Sequence, residues 1–305
     1  MTVTFLITGA SGFIGSRVAA SARRRPEVRV RLLSRQDAHG PGTVPGDLSD
    51  PPSLRGACAG VDVLVHCATR IGGDAVEAVN DHGTRALVEE AVRAGVGRIV
   101  YVSTAAVHGR GPFHGVRPGQ APIAPASATS RTRAAAERHV LDAGGLVLRP
   151  HLVYGEGDRW VIPGLAWLLG ELSATVTGCA ALHSMIEVGA LGRAVVAAAL
   201  SPAHDRGAHY VGHPEPVPLP GLLGAVREHL GVPGGGAAVD VATALHRAAG
   251  SPLALHHLAM LTVDHWFVDD AFWKDLDCSP GDDFATGFRR AAPWYRSFLA
   301  DRTAS

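Results

Sequence analysis

The sequence predicts an α/β protein with a doubly wound parallel sheet and a smaller C-terminal lobe, and three observations support this. Short β-branched runs alternate with Ala-rich helical stretches through the first half of the chain. A glycine-rich turn joins the first such run to the first helix. The alternation stops beyond Pro150, where Pro, Gly and Trp become more frequent. We therefore predict a sheet domain over residues 1–150 and a separate lobe over 151–305.

The predicted elements follow from hydrophobic periodicity and from breaker residues. Strands are predicted at 3–8, 28–33, 62–66, 98–103 and 145–149. Helices between them are predicted near 12–24, 51–58, 74–94 and 129–143. In the lobe, helices are predicted near 160–170, 190–200, 218–230 and 238–248. Strands that alternate with helices in this way form βαβ units, which require a parallel sheet.

Composition limits the classes of function. The 305 residues are 47% hydrophobic, which supplies a full core, and the formal net charge is zero. A neutral chain gives no electrostatic reason to expect nucleic acid or an anionic membrane as partner, so a small molecule is the better expectation. The four cysteines are widely spaced and no apolar run is long enough to span a membrane, which indicates a cytoplasmic protein. The sixteen histidines are scattered without an HExxH pattern, so we predict no metal site.

The turn after the first predicted strand carries the pattern of a dinucleotide site. Gly9, Gly12 and Gly15 stand in TGASGFIG, between that strand and an amphipathic helix. Glycines at these positions permit a tight turn and close approach of a pyrophosphate, and the helix N-terminus offers N–H groups to it. The remaining residues predicted to bind the cofactor here are Ser11, Phe13 and Ile14.

This motif resembles the fingerprint of the extended short-chain dehydrogenases/reductases, the NAD-dependent epimerase/dehydratase group. Other segments that resemble the family are GDLSD, VDVLVHCAT, YVSTAAVHG, LRPHLVYGEGD and the closing SPGDDFATGFRRAAPWYR. The resemblance implies that further cofactor contacts come from Asp47, Leu48, Cys67, Ala68, Thr69, Ser103, Arg133, Pro150, Leu152 and Val153.

The second predicted strand indicates which cofactor is preferred. An acidic residue at its end would bind the adenine ribose of NAD and repel a 2′-phosphate, whereas here the strand ends in Ser34 and Arg35. A guanidinium offers a planar fork to a phosphate, and a hydroxyl adds a donor. We therefore predict NADPH as the cofactor of domain 1–150, with the lobe 151–305 binding mainly substrate.

The resemblance also implies catalytic positions, which in the family hold a Ser or Thr, a Tyr and, four residues later, a Lys. Thr104 matches the first position, and alignment on Glu137 places Thr129 at the Tyr position and Arg133 at the Lys position. An aliphatic hydroxyl is far less acidic than a phenol, and a guanidinium stays charged at ordinary pH. We predict Thr104, Thr129 and Arg133 as the catalytic set, without the usual acid–base pair.

Three functions remain open on these residues. The first is an NADPH-dependent ketoreductase in which Thr104 polarises a carbonyl and the proton comes from solvent or from a substrate hydroxyl. The substrate would be a bulky, largely apolar ketone because Trp160, Trp167, Leu165, Leu168 and Leu169 follow the nicotinamide-side segment. Resemblance and Arg-rich, Ala-rich composition suggest actinomycete chemistry on an aromatic polyketide, such as an angucyclinone ketoreductase. The alternatives are a catalytically inert NADP-binding sensor or scaffold, and a nucleotide-sugar epimerase or dehydratase.

Overall fold

The computed structural model describes residues 2–35, 42–203, 206–232 and 237–303. Its strands are β1 Val3–Thr8, β2 Val28–Ser34, β3 Thr43–Pro45, β4 Val63–His66, β5 Arg98–Val102, β6 Phe113–Val116, β7 Leu146–Arg149, β8 Leu152–Tyr154, β9 Ala174–Val176, β10 Leu182–His183, β11 Met185–Glu187, β12 Gly207–Tyr210, β13 Val217–Pro218, β14 Ala237–Val239 and β15 His265–Phe267. Its helices are α1 Phe13–Arg23, α2 Thr84–Arg93, α3 Ala128–Asp142, α4 Val161–Leu172, α5 Val188–Leu200, α6 Leu219–Leu230, α7 Val241–Ala248, α8 Pro252–Leu261, α9 Asp270–Lys274 and α10 Phe284–Thr303.

A seven-stranded parallel sheet forms the centre of the molecule, in the order β12-β7-β5-β4-β1-β2-β3. Helices cover both faces, which is the doubly wound arrangement that the sequence predicts. Successive strand residues alternate between two cores: Phe5 packs with α1 and α5, whereas Leu6 packs with α2 and α3. This alternation follows from the period of two in a β-strand.

The sheet extends beyond the predicted boundary at residue 150. Strand β12 pairs with β7 at the sheet edge, and α5 packs against α1 on one face. Both elements come after Pro150, so the prediction of a sheet confined to residues 1–150 is incomplete. The short β12 run GAHY has too little hydrophobic pattern to be identified from sequence. Assignment of 151–305 mainly to substrate binding stays a prediction.

A second core holds the lobe together. It combines buried side chains of α4, α6, α7, α8 and α10. A four-stranded sheet in the order β13-β10-β15-β6 lies beside it, and β6 comes from the first half of the chain. The helices α8, α9 and α10 were not predicted. The helix expected at 51–58 is a single 3₁₀ turn, Pro51–Leu54, and the helix expected at 74–94 begins as a π-helix at Ala78–Gly83.

A buried tyrosine joins the last helix to the loop that follows β8. The Tyr295 hydroxyl donates to the Asp158 carboxylate at 3.0 Å and accepts from the Gly155 N–H at 2.7 Å. The same carboxylate accepts from the first-turn N–H groups of α4, including Val161 at 2.9 Å and Ile162 at 2.9 Å. Burial raises the pKa of Asp158, against the lowering effect of these hydrogen bonds. The C-terminal helix therefore fixes the chain at the carboxyl end of the main sheet.

Candidate active site

The glycine-rich turn after β1 is too tight for larger residues. Gly9 has φ of +67°, and a Cβ there would lie 2.6 Å from the Ala68 nitrogen. A Cβ on Gly15 would lie 2.1 Å from the Gly9 carbonyl oxygen, and one on Gly12 would lie 3.2 Å from it. Each substitution at Gly9 or Gly15 would displace backbone, so the turn requires the glycines that the sequence singles out.

Helix α1 begins immediately after this turn, at Phe13, with Gly12 as its N-cap. Among the residues that the structure describes, no side chain caps this helix, and its first turn holds no acidic residue. Its initial N–H groups are therefore available to an anion, which suits a pyrophosphate. Ser11 is exposed, and Phe13 and Ile14 are half-buried and pack against the core of the sheet.

The predicted 2′-phosphate residues lie at the end of β2. Ser34 is its last residue, half-buried, and its carbonyl accepts from the Gly46 N–H at 2.9 Å. Arg35 is exposed. Burial raises the pKa of Asp47, but hydrogen bonds from Ser49 and the charge of Arg35 outweigh it and lower that pKa overall. The positive charge of Arg35 therefore acts on the Asp47 carboxylate.

Leu48 is buried beneath the π-helix, where a Cβ on Gly83 would lie 2.3 Å from the Leu48 carbonyl oxygen. The contact explains why position 83 is glycine: the π-helix passes too close to the chain after β3 for any side chain. The segment after β3 is thereby fixed against the π-helix.

Strand β4 ends at a buried histidine that ties together the glycine turn and α2. The His66 Nδ1 lies 2.6 Å from the Thr8 Oγ1, and its Nε2 lies 2.9 Å from the Thr84 Oγ1. Burial, with a contribution from the charge of Arg133, lowers the pKa of His66 to about 3, so the ring is neutral at ordinary pH. The Thr8 Oγ1 also accepts from the Ala68 N–H at 3.1 Å, which holds the β4 end against the turn.

The next residues, Cys67 and Thr69, differ in exposure. Cys67 is half-buried, and burial raises the pKa of its thiol to about 12, so it is not a thiolate. Thr69 is exposed, and its hydroxyl donates to the Asn80 side-chain oxygen at 3.3 Å. Asn80 also bonds to both backbone polar groups of Arg70 and to the Thr132 hydroxyl on α3. This buried amide therefore connects the β4 loop to α3.

The ends of β5 and β7 stay paired past the regular strands. The Ser103 N–H donates to the Leu148 carbonyl at 2.7 Å, and the Ala105 N–H donates to the Pro150 carbonyl at 2.9 Å. Thr104 lies between them, half-buried, and its Oγ1 accepts from the Ala106 N–H at 3.2 Å. Since that bond uses a lone pair, the Thr104 hydroxyl proton is left for another acceptor.

Two buried polar atoms at this end of the sheet have no hydrogen-bond partner among the described residues. They are the Ser103 Oγ and the Arg133 Nε. Buried polar atoms are nearly always paired in folded proteins, so these two atoms suit contact with a polar ligand. Leu152 and Val153 follow in β8, which pairs with β11.

Helix α3 places Thr129 and Arg133 one turn apart. A capping box between Ser127 and Ser130 starts the helix. The Thr129 Oγ1 accepts from the Gly72 N–H at 3.4 Å. The Arg133 Nη2 donates to the Val102 carbonyl at 2.6 Å, and its guanidinium carbon lies 5.9 Å from the centre of the Tyr101 ring. Both residues thus lie at the carboxyl ends of β4 and β5, and their catalytic role stays a prediction.

The histidines near the site belong to the packing of the lobe. His108 is buried, with Nδ1 2.8 Å from the Pro122 carbonyl and Nε2 2.8 Å from the Tyr210 hydroxyl. His151 stacks on His265, with ring centres 5.3 Å apart. Burial lowers the pKa of His108 and, strongly, that of His151. A neutral, stacked imidazole is a poor proton donor, so neither ring supplies an obvious acid.

The apolar residues expected near the nicotinamide separate into two groups. Leu165, Leu168 and Leu169 are buried in the core of the lobe and are not available to a substrate, which corrects that expectation. Trp160 is 67% exposed and Trp167 is 37% exposed, so these two rings are accessible. Helical spacing placed all five residues on one helix, but only packing decided which of them face outward.

Two further expectations concern metals and membranes. Side-chain atoms of Glu77, Asp81 and His82 lie within 4.8 Å of one another, but Asp81 is already 2.6 Å from the His139 Nε2. The prediction of no metal site stays a prediction. Within the described ranges, no helix has the length and apolar character to cross a bilayer.

Comparisons with known proteins agree with this geometry. A profile of the 3-beta hydroxysteroid dehydrogenase/isomerase family matches residues 6–210. The chain is 29% identical to the 2-alkyl-3-oxoalkanoate reductase of Stenotrophomonas maltophilia, covering 93% of this chain and 97% of that one. It is 31% identical to the 4-hydroxy-2-methyl-3-oxo-4-farnesyl-3,4-dihydroquinoline-1-oxide ketoreductase of Stigmatella aurantiaca, over 52% of this chain and 53% of that one.

Among solved structures, the chain is similar in fold to DesIV, the dTDP-glucose 4,6-dehydratase of Streptomyces venezuelae with NAD and TYD bound. The TM-score is 0.74, with 22% identity over 98% of each chain. The match confirms the doubly wound α/β fold. The family profile covers two thirds of the sequence, including the glycine turn, Thr104, Thr129 and Arg133. The chain therefore belongs to the 3-beta hydroxysteroid dehydrogenase/isomerase family, an oxidoreductase family of the extended short-chain dehydrogenase/reductase class.

Proposed function

We propose that this protein is an NADPH-dependent ketoreductase that converts a bulky, largely apolar ketone, such as an aromatic polyketide ketone, to an alcohol. The observation that carries the proposal is a pair of buried atoms, Ser103 Oγ and Arg133 Nε, at the carboxyl end of β5, which have no partner among the described residues. Polar atoms of this kind suit the ribose hydroxyls and amide of a nicotinamide nucleoside. The glycine turn and the uncapped α1 suit the pyrophosphate.

The residues divide the work of binding. Gly9, Gly12 and Gly15 give the pyrophosphate room, and the first N–H groups of α1 face its charge. Arg35 and Ser34 provide a cation and a hydroxyl where a 2′-phosphate would lie, which is why we propose NADPH rather than NADH. The negative charge of Asp47 partly offsets the attraction of Arg35 for a phosphate, so we expect a preference for NADPH rather than complete exclusion of NADH.

The reduced nicotinamide, when bound, supplies a hydride to the substrate carbonyl carbon. The C=O π pair then moves to oxygen, and the resulting alkoxide takes a proton from water or from a neighbouring substrate hydroxyl. The Thr104 oxygen accepts from the Ala106 N–H through one lone pair, which leaves the hydroxyl proton available. This proton is donated to the developing oxyanion. Thr129 orients a proton but is not its source, since an aliphatic hydroxyl is too weak an acid.

The names of two relatives support a ketone substrate. One is a 2-alkyl-3-oxoalkanoate reductase, and the other is a ketoreductase of a 3-oxo compound that carries a farnesyl group. The exposed rings of Trp160 and Trp167 provide apolar surface on the lobe. An inert NADP-binding sensor and a nucleotide-sugar enzyme are the competing functions, and the latter would need a base that Thr129 does not provide.

The experiment is to mix the purified protein with NADPH or NADH and a panel of ketones, and to follow loss of the reduced nicotinamide absorbance. The panel contains aromatic polyketide ketones, long-chain 3-oxo acids and their esters. We expect NADPH to be consumed with at least one class. Cofactor binding without consumption across the panel would favour the sensor, and turnover of a nucleotide sugar would favour the epimerase or dehydratase.

A further inference from the structure

A short loop after β4 carries an arginine that the proposed chemistry does not use. The loop runs from Thr69 to Gly73, and its backbone is fixed by Asn80, which is 2% exposed. The Asn80 side-chain oxygen accepts from the Arg70 N–H at 2.7 Å, and its amide donates to the Arg70 carbonyl at 2.9 Å. A buried amide thus holds both polar backbone groups of one exposed residue.

This anchoring ties the backbone of the Arg70 loop to α3, the helix that carries Thr129. Asn80 also donates to the Thr132 hydroxyl on α3 at 3.1 Å, and the Gly72 N–H donates to Thr129. The loop therefore bridges the carboxyl end of β4 and the first turn of α3. Ligands of open parallel sheets bind outside the carboxyl ends of the strands, which is where this loop lies.

The guanidinium of Arg70 is uncommitted. Its Nη2 and Nε lie 3.8 and 3.9 Å from the position that a Cβ would take on Gly73, so the group lies across the loop itself. Arg70 is exposed, and among the described residues no side chain forms an ion pair or hydrogen bond with its guanidinium. Ile71, the next residue, is 58% exposed. An exposed cation and an exposed aliphatic side chain therefore follow one another in the loop that contacts α3.

We propose that Arg70 binds a carboxylate on the ketone substrate, so that the preferred substrates are amphipathic oxo acids with Ile71 against their apolar part. This inference rests on the proposed ketoreductase function. A guanidinium pairs with a carboxylate through two parallel hydrogen bonds, which orients as well as attracts the ligand. The fixed backbone at Arg70 limits the entropy lost when the pair forms. The site selects an acid over the corresponding ester.

The test uses 3-oxododecanoate and its methyl ester as probes with the full-length protein and NADPH. We expect the acid to have a KM at least about tenfold lower than the ester, the difference that one charge-assisted contact produces. Arg70→Gln should raise the KM of the acid by about tenfold or more, with kcat within about twofold, and leave the ester unchanged. Arg70→Lys should recover part of the loss.

The matched control is Arg131→Gln, an exposed arginine in the first turn of α3, near Thr129. If Arg70 acts only through general attraction of anions, the two variants will have equal effects, and the carboxylate site is overturned. Direct titration of NADPH gives an independent readout: weaker NADPH binding by Arg70→Gln would place the guanidinium on the cofactor and also overturn it. Equal KM values for the acid and the ester would also overturn the carboxylate site. Failure of the enzyme to reduce either compound would overturn it too. The ketoreductase function itself fails only when no ketone of the wider panel consumes NADPH.

Discussion

The Arg133 guanidinium donates to the Val102 carbonyl at 2.6 Å, so the cation at the family's lysine position is bonded to the end of β5. Its Nε remains buried without a partner among the described residues. One end of the group is thus used in the fold and the other is available to a ligand. This arrangement suits binding of ribose hydroxyls better than it suits tuning the acidity of a neighbour.

The first prediction separates the two threonines. Thr129→Val should reduce kcat by less than about tenfold, because an aliphatic hydroxyl is not the proton source, whereas loss of a general acid costs about 10²–10⁴-fold. Thr104→Val should cost about 10²-fold or more, because it removes the donor to the oxyanion. Steady-state kinetics with saturating NADPH measures both. A Thr129→Val enzyme that binds normally yet is slowed a thousandfold would show that Thr129 is the essential residue.

The second prediction concerns cofactor choice. Arg35→Asp should lower NADPH affinity by at least about tenfold and leave or improve NADH affinity, because a carboxylate repels the 2′-phosphate and accepts from a 2′-hydroxyl. Fluorescence titration of both cofactors measures this. Equal affinities of the unmodified protein for NADPH and NADH would contradict the assignment.

The third prediction tests the glycine turn. Gly15→Ala should abolish measurable cofactor binding, because the new Cβ would lie 2.1 Å from the Gly9 carbonyl oxygen and force the turn apart. The control is Gly170→Ala in α4, where nothing lies within 4 Å of the new Cβ and alanine favours the helix. Calorimetric titration with NADPH should distinguish the variants, and unchanged binding by Gly15→Ala would refute the turn geometry.

The fourth prediction concerns the buried ion pair between α3 and β7. The Arg149 guanidinium donates to both oxygens of Glu137, at 3.0 and 2.6 Å, and the two side chains are 8% and 3% exposed. Arg149→Met would leave an unpaired buried carboxylate, so the free energy of unfolding should fall by about 3–5 kcal/mol. The double variant Glu137→Leu with Arg149→Met should recover part of that loss. Urea unfolding measures both, and a loss under about 1 kcal/mol for the single variant would argue against burial of the pair.

The fifth prediction is a pH dependence of stability. Burial lowers the pKa of His183 from its ordinary 6.5 to about 4, so between these values the unfolded chain binds more protons than the folded one. The free energy of unfolding is therefore highest above pH 6.5 and falls as the pH is lowered towards 4, by on the order of 3 kcal/mol for this group. His183→Gln, whose amide cannot titrate, should flatten that slope in urea unfolding at several pH values. An unchanged slope would assign the effect to other buried histidines such as His66, whose pKa shifts in the same direction.

Local sequence determined the glycine turn and the inner strands of the main sheet. The TGASGFIG turn requires glycine for reasons confined to neighbouring backbone, and β-branched runs identify buried parallel strands by composition alone. Spacing from Glu137 correctly placed Thr129 and Arg133 on one helix, because residues four apart share a helix face.

Tertiary structure decided the features that depend on distant residues. Strand β12 joins the sheet only because β7 offers an open edge, and its own four residues carry little pattern. Leu165, Leu168 and Leu169 look like substrate contacts in sequence, but packing against α6 and α10 buries them. Arg70 had no distinguishing motif, since its position depends on Asn80 and α3. Periodicity reports which face of an element is apolar, whereas only the assembled fold determines what that face meets.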